Sequence, residues 1–480
     1  MRILALEAST VSAKTMLYDS DTATIQKTSQ RFRFPTPDSS QHDADEAVSQ
    51  LFALGREFLD GRAVDLVALC GTWHGLTMQS DKGASLTPVF EWPYLGAQKI
   101  SMRLRADPVF ANWYYENTGA MVNAIYPSFK LRLLADSGFD LASGLAMDQC
   151  SVLFQRLTGH FATTPSLASG TGLLDVKTAT WNQEIIQALG IGAVRLPGLI
   201  NERVHAPLTR EAGAMLGLAS GTPVLAPGPD GGLSQLGDDA GEAGKMTFSM
   251  GTSGAMRLTT PTPVLSRNRS TWCYRAPDAW LSGIATNGCC NVTDWARLTL
   301  FGENVDYGAL EARLRPGKRD VPTFLPFLFG ERCPGWHEKR HSGFVDLQSW
   351  HDPIDLYQAV LQGIVFNLRQ GYEELVRLNG EPSNIRLSGG VLASPFWTQL
   401  TADVIGARLE ISPYQQSSSL GAIQLGLSAL GADAGQCLGL TSRSPQYVEP
   451  DPELDAYYQE RYHTYVEAYK QTTPKEMSLI

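Results

Sequence analysis

Pro227-Gly-Pro-Asp-Gly-Gly-Leu-Ser-Gln-Leu-Gly237 is followed closely by Phe248-Ser-Met-Gly-Thr-Ser-Gly-Ala255. Read together, these two glycine-rich stretches supply two halves of a phosphoryl-transfer site. In the first, Asp230 stands between Gly228 and Gly231, where small neighbours let a hydroxyl approach a carboxylate that can take its proton. In the second, a short apolar run ends in Gly251-Thr252-Ser253-Gly254, which offers backbone N–H groups and two hydroxyls to phosphate oxygens. Singly, each has an ordinary reading: Asp-Gly-Gly is a common turn, and Gly-Thr-Ser-Gly is more often a hairpin turn than a phosphate cradle. A third stretch, Leu387-Ser-Gly-Gly-Val-Leu-Ala-Ser-Pro395, reads as strand, Gly-Gly turn and helix, with Ser394 as cap and Pro395 at the first helical position. Bare backbone at Gly389 and Gly390 lets a flat base or a phosphate lie against that turn. The chain has no Gly-x4-Gly-Lys-Ser/Thr spacing and no protein-kinase glycine loop, so other phosphate signatures do not fit.

Around these stretches short β runs alternate with longer amphipathic ones, the pattern of an α/β architecture. Strands are expected over residues 2–6, 15–18, 64–70, 247–250 and 255–259, and helices over 43–59, 353–378 and 396–405. Residues 5–18 and 247–259 look alike: strand, Ser/Thr-containing turn, strand. Such a repeat suits two duplicated lobes, each giving one hairpin to a shared nucleotide. The join is expected near residues 243–245, after the helix that follows Asp230, dividing the chain into residues 1–244 and 245–480.

Composition agrees. A chain of 480 residues with 43% hydrophobic content can bury two cores, and its length points to two or three domains. A formal charge of -10 disfavours nucleic acid and anionic membranes as partners. Seven cysteines, an odd number with an adjacent Cys289-Cys290 and no C-x-x-C pair, suggest reduced thiols in a cytoplasmic protein rather than a disulfide framework or a metal site. The N-terminal Met-Arg-Ile-Leu-Ala-Leu-Glu reaches an acidic residue too soon for a signal peptide, and no later run suits a bilayer.

The chain resembles the FGGY carbohydrate kinases over essentially its whole length. Ile3-Leu-Ala-Leu-Glu-Ala-Ser-Thr-Val-Ser-Ala-Lys14 looks like the family's first phosphate hairpin, and Thr72-Trp-His-Gly75 is similar to its Gln-Met-His-Gly sugar loop. Phe324-Leu-Pro-Phe-Leu-Phe-Gly-Glu-Arg-Cys-Pro-Gly-Trp336 looks like the family's Pro-Tyr-Leu-x-Gly-Glu-Arg-x-Pro-x-Trp, and Asp355-Leu-Tyr-Gln-Ala-Val-Leu-Gln362 fits its helix signature. The resemblance implies two ribonuclease-H-like domains of the actin and hexokinase type around a central catalytic cleft, the first on the sugar side with the base, the second on the nucleotide side. It implies ATP and Mg2+ as cofactors and a small sugar and ATP as partners, and it admits a homodimer. On the matching positions, Asp230 is the general base, and Trp73, His74 and Gly75 with Asp230 bind the sugar. Ser9, Thr10, Lys14, Gly251, Thr252, Ser253, Gly389, Gly390 and Val391 bind ATP, and Glu7 and Asp230 reach the metal.

Two departures bear on the chemistry. Where the family has Asp-x-Gly-Thr, this chain has Glu7-Ala8-Ser9-Thr10. The longer Glu7 could ligate Mg2+ directly, and Ser9 would cost about 1 kcal/mol if the turn needed a left-handed backbone. Where the family has Trp-Asn-Asp-x-Arg, this chain has Trp92-Pro-Tyr-Leu-Gly96, so Tyr94 and Gly96 replace a charged pair. A sugar acid would then need a compensating cation. Gly251-Thr-Ser-Gly-Ala-Met-Arg257, Cys273-Tyr274 and Thr286-Asn-Gly288 look closest to the gluconokinase branch, whereas His74-Gly75 looks more like the xylulokinase branch. Pocket residues outweigh nucleotide-side ones, which puts D-xylulose slightly ahead of D-gluconate as the expected substrate. A catalytically weak sugar-binding regulator and a nucleotide hydrolase on the same fold are the alternatives from other classes.

Overall fold

In the computed structural model, residues 1–35, 38–318, 320–439 and 444–472 are described. The chain begins with a hairpin of β1 (Arg2–Ala8) and β2 (Ser12–Asp19), extended by β3 (Thr24–Arg31). β1 is buried along nearly its whole length, as suits a strand covered on both faces. Helix α1 (Ala44–Leu59) follows, its start fixed by Asp43, whose side chain accepts from the Asp45 and Glu46 amides, and its end by a left-handed Asp60. Ala44, Ala47, Val48, Leu51, Phe52 and Leu59 form its buried stripe, which packs with Leu4, Leu6 and Ala8 of β1. Next come β4 (Leu66–Gly71), α2 (Pro127–Asp136), β5 (His205–Pro207), β6 (Pro223–Leu225), β7 (Gly228–Pro229) and α3 (Asp230–Gly237). The first sheet has seven strands in the order β5-β6-β4-β1-β2-β3, with β7 also paired to β4.

The second half opens with another hairpin, β8 (Lys245–Met250) and β9 (Gly254–Thr260), followed by β10 (Trp272–Arg275) and β11 (Trp280–Ala285). Helix α4 (Cys290–Phe301), the long α5 (Pro353–Asn379), β12 (Asn384–Ser388), α6 (Pro395–Ile405), β13 (Leu409–Ile411), α7 (Ser417–Ala429), β14 (Gln446–Val448) and α8 (Asp455–Gln471) complete it. Its seven strands run β10-β11-β9-β8-β12-β13-β14. Each sheet thus has a central strand with two strands joined antiparallel one after the other on one side and two parallel strands on the other: β3-β2-β1-β4-β6 in the first, β11-β9-β8-β12-β13 in the second. The hairpin likeness read from the sequence is therefore a repeat of whole sheets, and the fold is two ribonuclease-H-like lobes of the actin and hexokinase architecture. The expected strands and helices all form, with ends displaced by a few residues. Among the described residues no helix is long and apolar enough to cross a membrane.

The lobes do not simply follow one another. Helix α7 lies on the first sheet, where Leu420, Ile423 and Leu427 pack against Ile3, Ala5, Leu66 and Ala68. There α7 crosses α3 at backbone contact: a Cβ on Gly237 would sit 1.9 Å from the Ser417 carbonyl oxygen, and one on Gly421 would sit 1.9 Å from that of Leu233. Helix α3 is tied in turn to the second sheet, since Gln235 accepts from the Thr247 hydroxyl at 2.7 Å and donates to that of Thr259 at 2.9 Å. Asp238, at the end of α3, accepts from Ser412 and Ser417, both at 2.7 Å.

Gly421→Ala is therefore expected to destabilise the protein by about 1–3 kcal/mol or more, because one methyl must force two helix backbones apart. Gly198, around which an added Cβ would meet nothing within 4 Å, is the control. Thermal unfolding of the two alanine variants checks this; equal midpoints would show that the crossing tolerates separation.

Candidate active site

Strand register brings the sequence motifs together. Ala8 of β1 and Pro229 of β7 both pair with Gly71 of β4, all in parallel, so the chain leaves the first sheet at Ser9, Thr72 and Asp230 side by side. In the second sheet Ser249 pairs with Ser388, so the turns at Gly251 and Gly389 also leave together. These are the carboxyl ends of parallel strands, where open α/β sheets place their ligands.

Asp230 is the first residue of α3 and half-buried. Its Oδ1 accepts from the Gly231 amide at 2.7 Å, and its Oδ2 has no partner among the described residues. Burial pushes its pKa up to about 6, helped by the charge of Glu7 and opposed by Arg257, the Gly231 amide and Lys14. Gly231 has to be glycine for contact reasons: a Cβ there would lie 2.2 Å from the Trp73 ring and 3.2 Å from the Arg257 Nε. Trp73 and Arg257 thus close on the start of α3 from two sides.

On the first hairpin, Glu7 shares with Ile3 and Ala5 the sheet face covered by α7. Its cross-strand partner Lys14 donates to Oε1 at 2.5 Å, while Ser418 and Ser419 of α7 donate to Oε2 at 2.7 and 2.5 Å. Glu7 is 1% exposed, and both its oxygens already accept hydrogen bonds, one of them from the Lys14 ammonium. Ser9 does not take a left-handed backbone; its hydroxyl bonds the Ser12 carbonyl at 2.9 Å and closes the turn, so the anticipated strain does not arise. Thr10 accepts from the Trp92 indole at 3.1 Å.

Across the cleft, the amides of Thr252 and Ser253 donate to no acceptor among the described residues, and Thr252 is exposed. Gly251 itself closes the turn by donating to the Ser253 carbonyl at 3.1 Å. Gly389 has a φ of 102°, and a Cβ on it would lie 2.4 Å from the Met250 carbonyl oxygen, so the two turns of the second sheet touch only because this residue is glycine. Next to it, Gly390 faces the Cys290 thiol, and Val391 is fully buried, leaving only its backbone for a ligand. Ser394 caps α6 by accepting from the Trp397 amide at 3.1 Å, with Pro395 first in the helix. A cavity of about 510 Å³ lies between the lobes here, lined by Ser249, Arg257, Ser388, Gly389 and Ser417 among others.

The loop after β4 holds His74 in a left-handed conformation, φ 70°. Its Nδ1–H donates to the Gly170 carbonyl at 2.7 Å, and Nε2 has no partner among the described residues. Burial, reinforced by the charge of Arg332, lowers its pKa to about 3. The ring is therefore neutral, with a bare Nε2 lone pair that can accept from a hydroxyl. The rings of Tyr126 and Tyr274 stand edge-on to it at 5.2 and 5.6 Å, and their hydroxyls bond each other at 2.6 Å. Tyr274 belongs to β10, so the second sheet supplies one wall beside His74. Trp73 donates its indole N–H to the Ser166 carbonyl at 2.8 Å and acts only as a wall, and Gly75 would meet a Cβ with ordinary contacts.

Sequence reading missed Arg332 and the cationic role of Arg257. Neither has an ion-pair partner among the described residues, each has a buried Nε without a hydrogen-bond acceptor, and each feels the other's charge. Arg332 stands close enough to His74, Tyr126 and Tyr274 to bias all three. No group of three or more His, Cys, Asp or Glu side chains among the described residues could hold a metal. The donor set fits a Mg2+ held mainly by phosphate oxygens and water with Asp230 as its carboxylate, which is how Mg2+ is usually bound at phosphates.

The N-terminal domain model of the FGGY family of carbohydrate kinases matches residues 2–237, and the C-terminal domain model matches residues 246–430. A gluconokinase of Bacillus subtilis (strain 168) is 24% identical over 451 residues, 89% of this chain and 88% of the relative. The crystal structure of a gluconate kinase from Lactobacillus acidophilus superposes with a TM-score of 0.92 at 26% identity, covering 99% of both chains. A ligand-bound xylulose kinase from the same organism reaches 0.91 at 27% identity, again over 99% of both chains.

The raised pKa of Asp230 has a definite sign for stability. Folding favours the protonated acid, so the chain carries a penalty that is absent below the ordinary value of 3.8 and complete above about 6. Asp230→Asn, neutral throughout, is expected to unfold at a higher temperature than the parent at pH 7.5 and to lose that advantage by pH 4, a difference on the order of 1–3 kcal/mol. Parallel melts at the two pH values check it, and a pH-independent difference would show that Asp230 is well solvated.

Proposed function

The chain belongs to the FGGY family of carbohydrate kinases, phosphotransferases that take their phosphoryl group from ATP, and from that premise we propose that it phosphorylates a small open-chain sugar or sugar acid, the acid D-gluconate ahead of the neutral ketose D-xylulose. Asp230 is the proposed general base. As the acceptor hydroxyl attacks, its proton passes to Oδ2 of Asp230, the new bond forms between the hydroxyl oxygen and the γ-phosphorus, and the bond to the β–γ bridging oxygen breaks, releasing ADP. The free amides of Thr252 and Ser253 meet the phosphate charge on the nucleotide side, and the Gly389-Gly390 turn receives the nucleoside. Mg2+ would supply further neutralisation of the phosphate oxygens. Glu7 is proposed to shape this site rather than to ligate the metal directly, because both its oxygens are engaged by Lys14, Ser418 and Ser419. His74 is the proposed acceptor for a sugar hydroxyl.

The single observation that carries the substrate is the pair of guanidiniums without an ion pair among the described residues, Arg257 and Arg332, beside Asp230 and His74. The Trp92–Gly96 segment had argued against an anionic substrate because its arginine is missing; these two residues supply the compensating cation from the other lobe. Arg332 stands on a segment like one shared by the whole family, whereas Arg257 stands on the segment closest to the gluconokinase branch, so Arg257 is the more discriminating of the two. The proposed division at residue 245 puts Asp230 and His74 on the first lobe and the nucleotide turns on the second. All seven cysteines are unpaired, which supports a cytoplasmic location.

A coupled ADP-release assay against aldonic acids, ketoses and polyols tests the reading: ADP should appear with D-gluconate at a higher kcat/KM than with D-xylulose. Sugar-independent ADP would sink it. Asp230→Asn should lower kcat by about 10²- to 10⁴-fold. In the parent enzyme kcat/KM should fall on the acid side of about pH 6, where Asp230 takes up its proton. Arg257→Gln should raise KM for gluconate by about tenfold or more while shifting KM for a neutral sugar less, since only the acid loses a charged hydrogen bond.

A further inference from the structure

We propose that Lys130 is a positioning residue for sugar binding, one that holds the His74 loop in its working shape from beneath; the inference rests on the reading that His74 contacts the sugar. Lys130 lies on α2 and is 1% exposed. An ammonium has three protons to donate, and all three find carbonyls: those of His74 at 2.7 Å, Glu91 at 2.8 Å and Phe90 at 3.0 Å. The first belongs to the sugar loop and the other two to the strand-like segment beneath it.

The carboxylate of Glu91 completes the device. It is 1% exposed, accepts from the Thr72 hydroxyl at 2.9 Å and lies 4.0 Å from the His42 Nε2. One end of the Thr72-Trp73-His74 loop is thus tied to the buried acid and the other to the buried base. The tie answers a specific strain. A non-glycine residue at a φ of 70° is strained by its left-handed backbone, and the His74 conformation persists because its carbonyl is drawn onto the Lys130 ammonium while its Nδ1–H is drawn onto Gly170. With both ends fixed, Nε2 is the one polar atom of the ring left open. Packing alone would be better served by methionine or leucine, since burying an ammonium carries a desolvation penalty that an apolar side chain avoids. Burial lowers the Lys130 pKa and raises that of Glu91, as withdrawal from water disfavours the charged form of each.

Steady-state kinetics on a double-mutant cycle test the proposal, with Lys130→Gln made in the parent and in a His74→Ala background. In the parent, Lys130→Gln should raise KM for the sugar by about tenfold and leave KM for ATP within about twofold. In the His74→Ala background the same change should move the sugar KM by less than about twofold, because a residue acting through His74 has nothing left to position. Should Lys130→Gln fail to fold, Thr72→Val cuts the other tie and should give the same pattern. A rise that persists without His74, or one shared equally by sugar and ATP, overturns the positioning role alone. A His74→Ala variant whose own sugar KM is unchanged overturns the reading of His74 itself, and this proposal with it.

Discussion

Everything in this molecule hangs on two helices that touch backbone to backbone. Helices α3 and α7 each follow the last parallel strand of their lobe's five-strand motif, and they cross where Gly237 and Gly421 carry no side chain. That crossing fixes how the two repeated sheets face each other. It puts Asp230, at the start of α3, opposite the turns of the second sheet, and it brings Ser418 and Ser419, at the start of α7, onto Glu7 of the first. A side chain at either glycine would have to move main chain rather than a rotamer, which is the least forgiving kind of contact.

The charges around the cleft are what the proposed task on a hydroxylated anion calls for. Asp230 is desolvated enough to hold a proton more readily than an ordinary carboxylate, yet the amide of Gly231 and the nearby Arg257 keep it ionisable near neutrality. His74 is kept neutral, so it can accept but not repel. Arg257 and Arg332 form no ion pair among the described residues, Arg257 feeling Asp230 and Asp238 only at longer range, which leaves their guanidiniums able to meet an anionic group on a ligand. Glu7, by contrast, is held from within: Lys14 and two serines donate to its two oxygens and fix it on the hairpin floor.

Much of the frame was legible because local chemistry and global fold agree there. The hairpins at residues 5–18 and 247–259, the stripe of α1, the Ser394 cap and the Gly389 turn each carry their own signal in a few adjacent residues, and the repeat of whole sheets follows from two of them. What stayed hidden depends on residues brought together from far apart. Ser418 and Ser419 meet Glu7 from more than 400 positions away, and no local pattern marks them. Arg332 and Arg257 look like surface cations until the lobes bring them to His74 and Asp230. Lys130 sits in a helix whose neighbours Phe129 and Leu131 are buried, and only the carbonyls waiting around it explain why it is not a leucine. The condition on which Ser9 would carry a cost is not met, for a related reason: the turn closes through its own hydroxyl and needs no left-handed residue at that point.

The central claim is that one carboxylate on the first lobe faces phosphate-binding turns on the second, with an anionic sugar between them. A crystal structure with D-gluconate and a non-hydrolysable ATP analogue measures it directly. The account predicts a substrate hydroxyl within about 2.6–3.2 Å of Asp230 Oδ2 and in line with the γ-phosphorus, with the substrate carboxylate on Arg257 or Arg332. A hydroxyl beyond hydrogen-bond reach of Asp230, or a carboxylate left in solvent while both arginines stay empty, would contradict it.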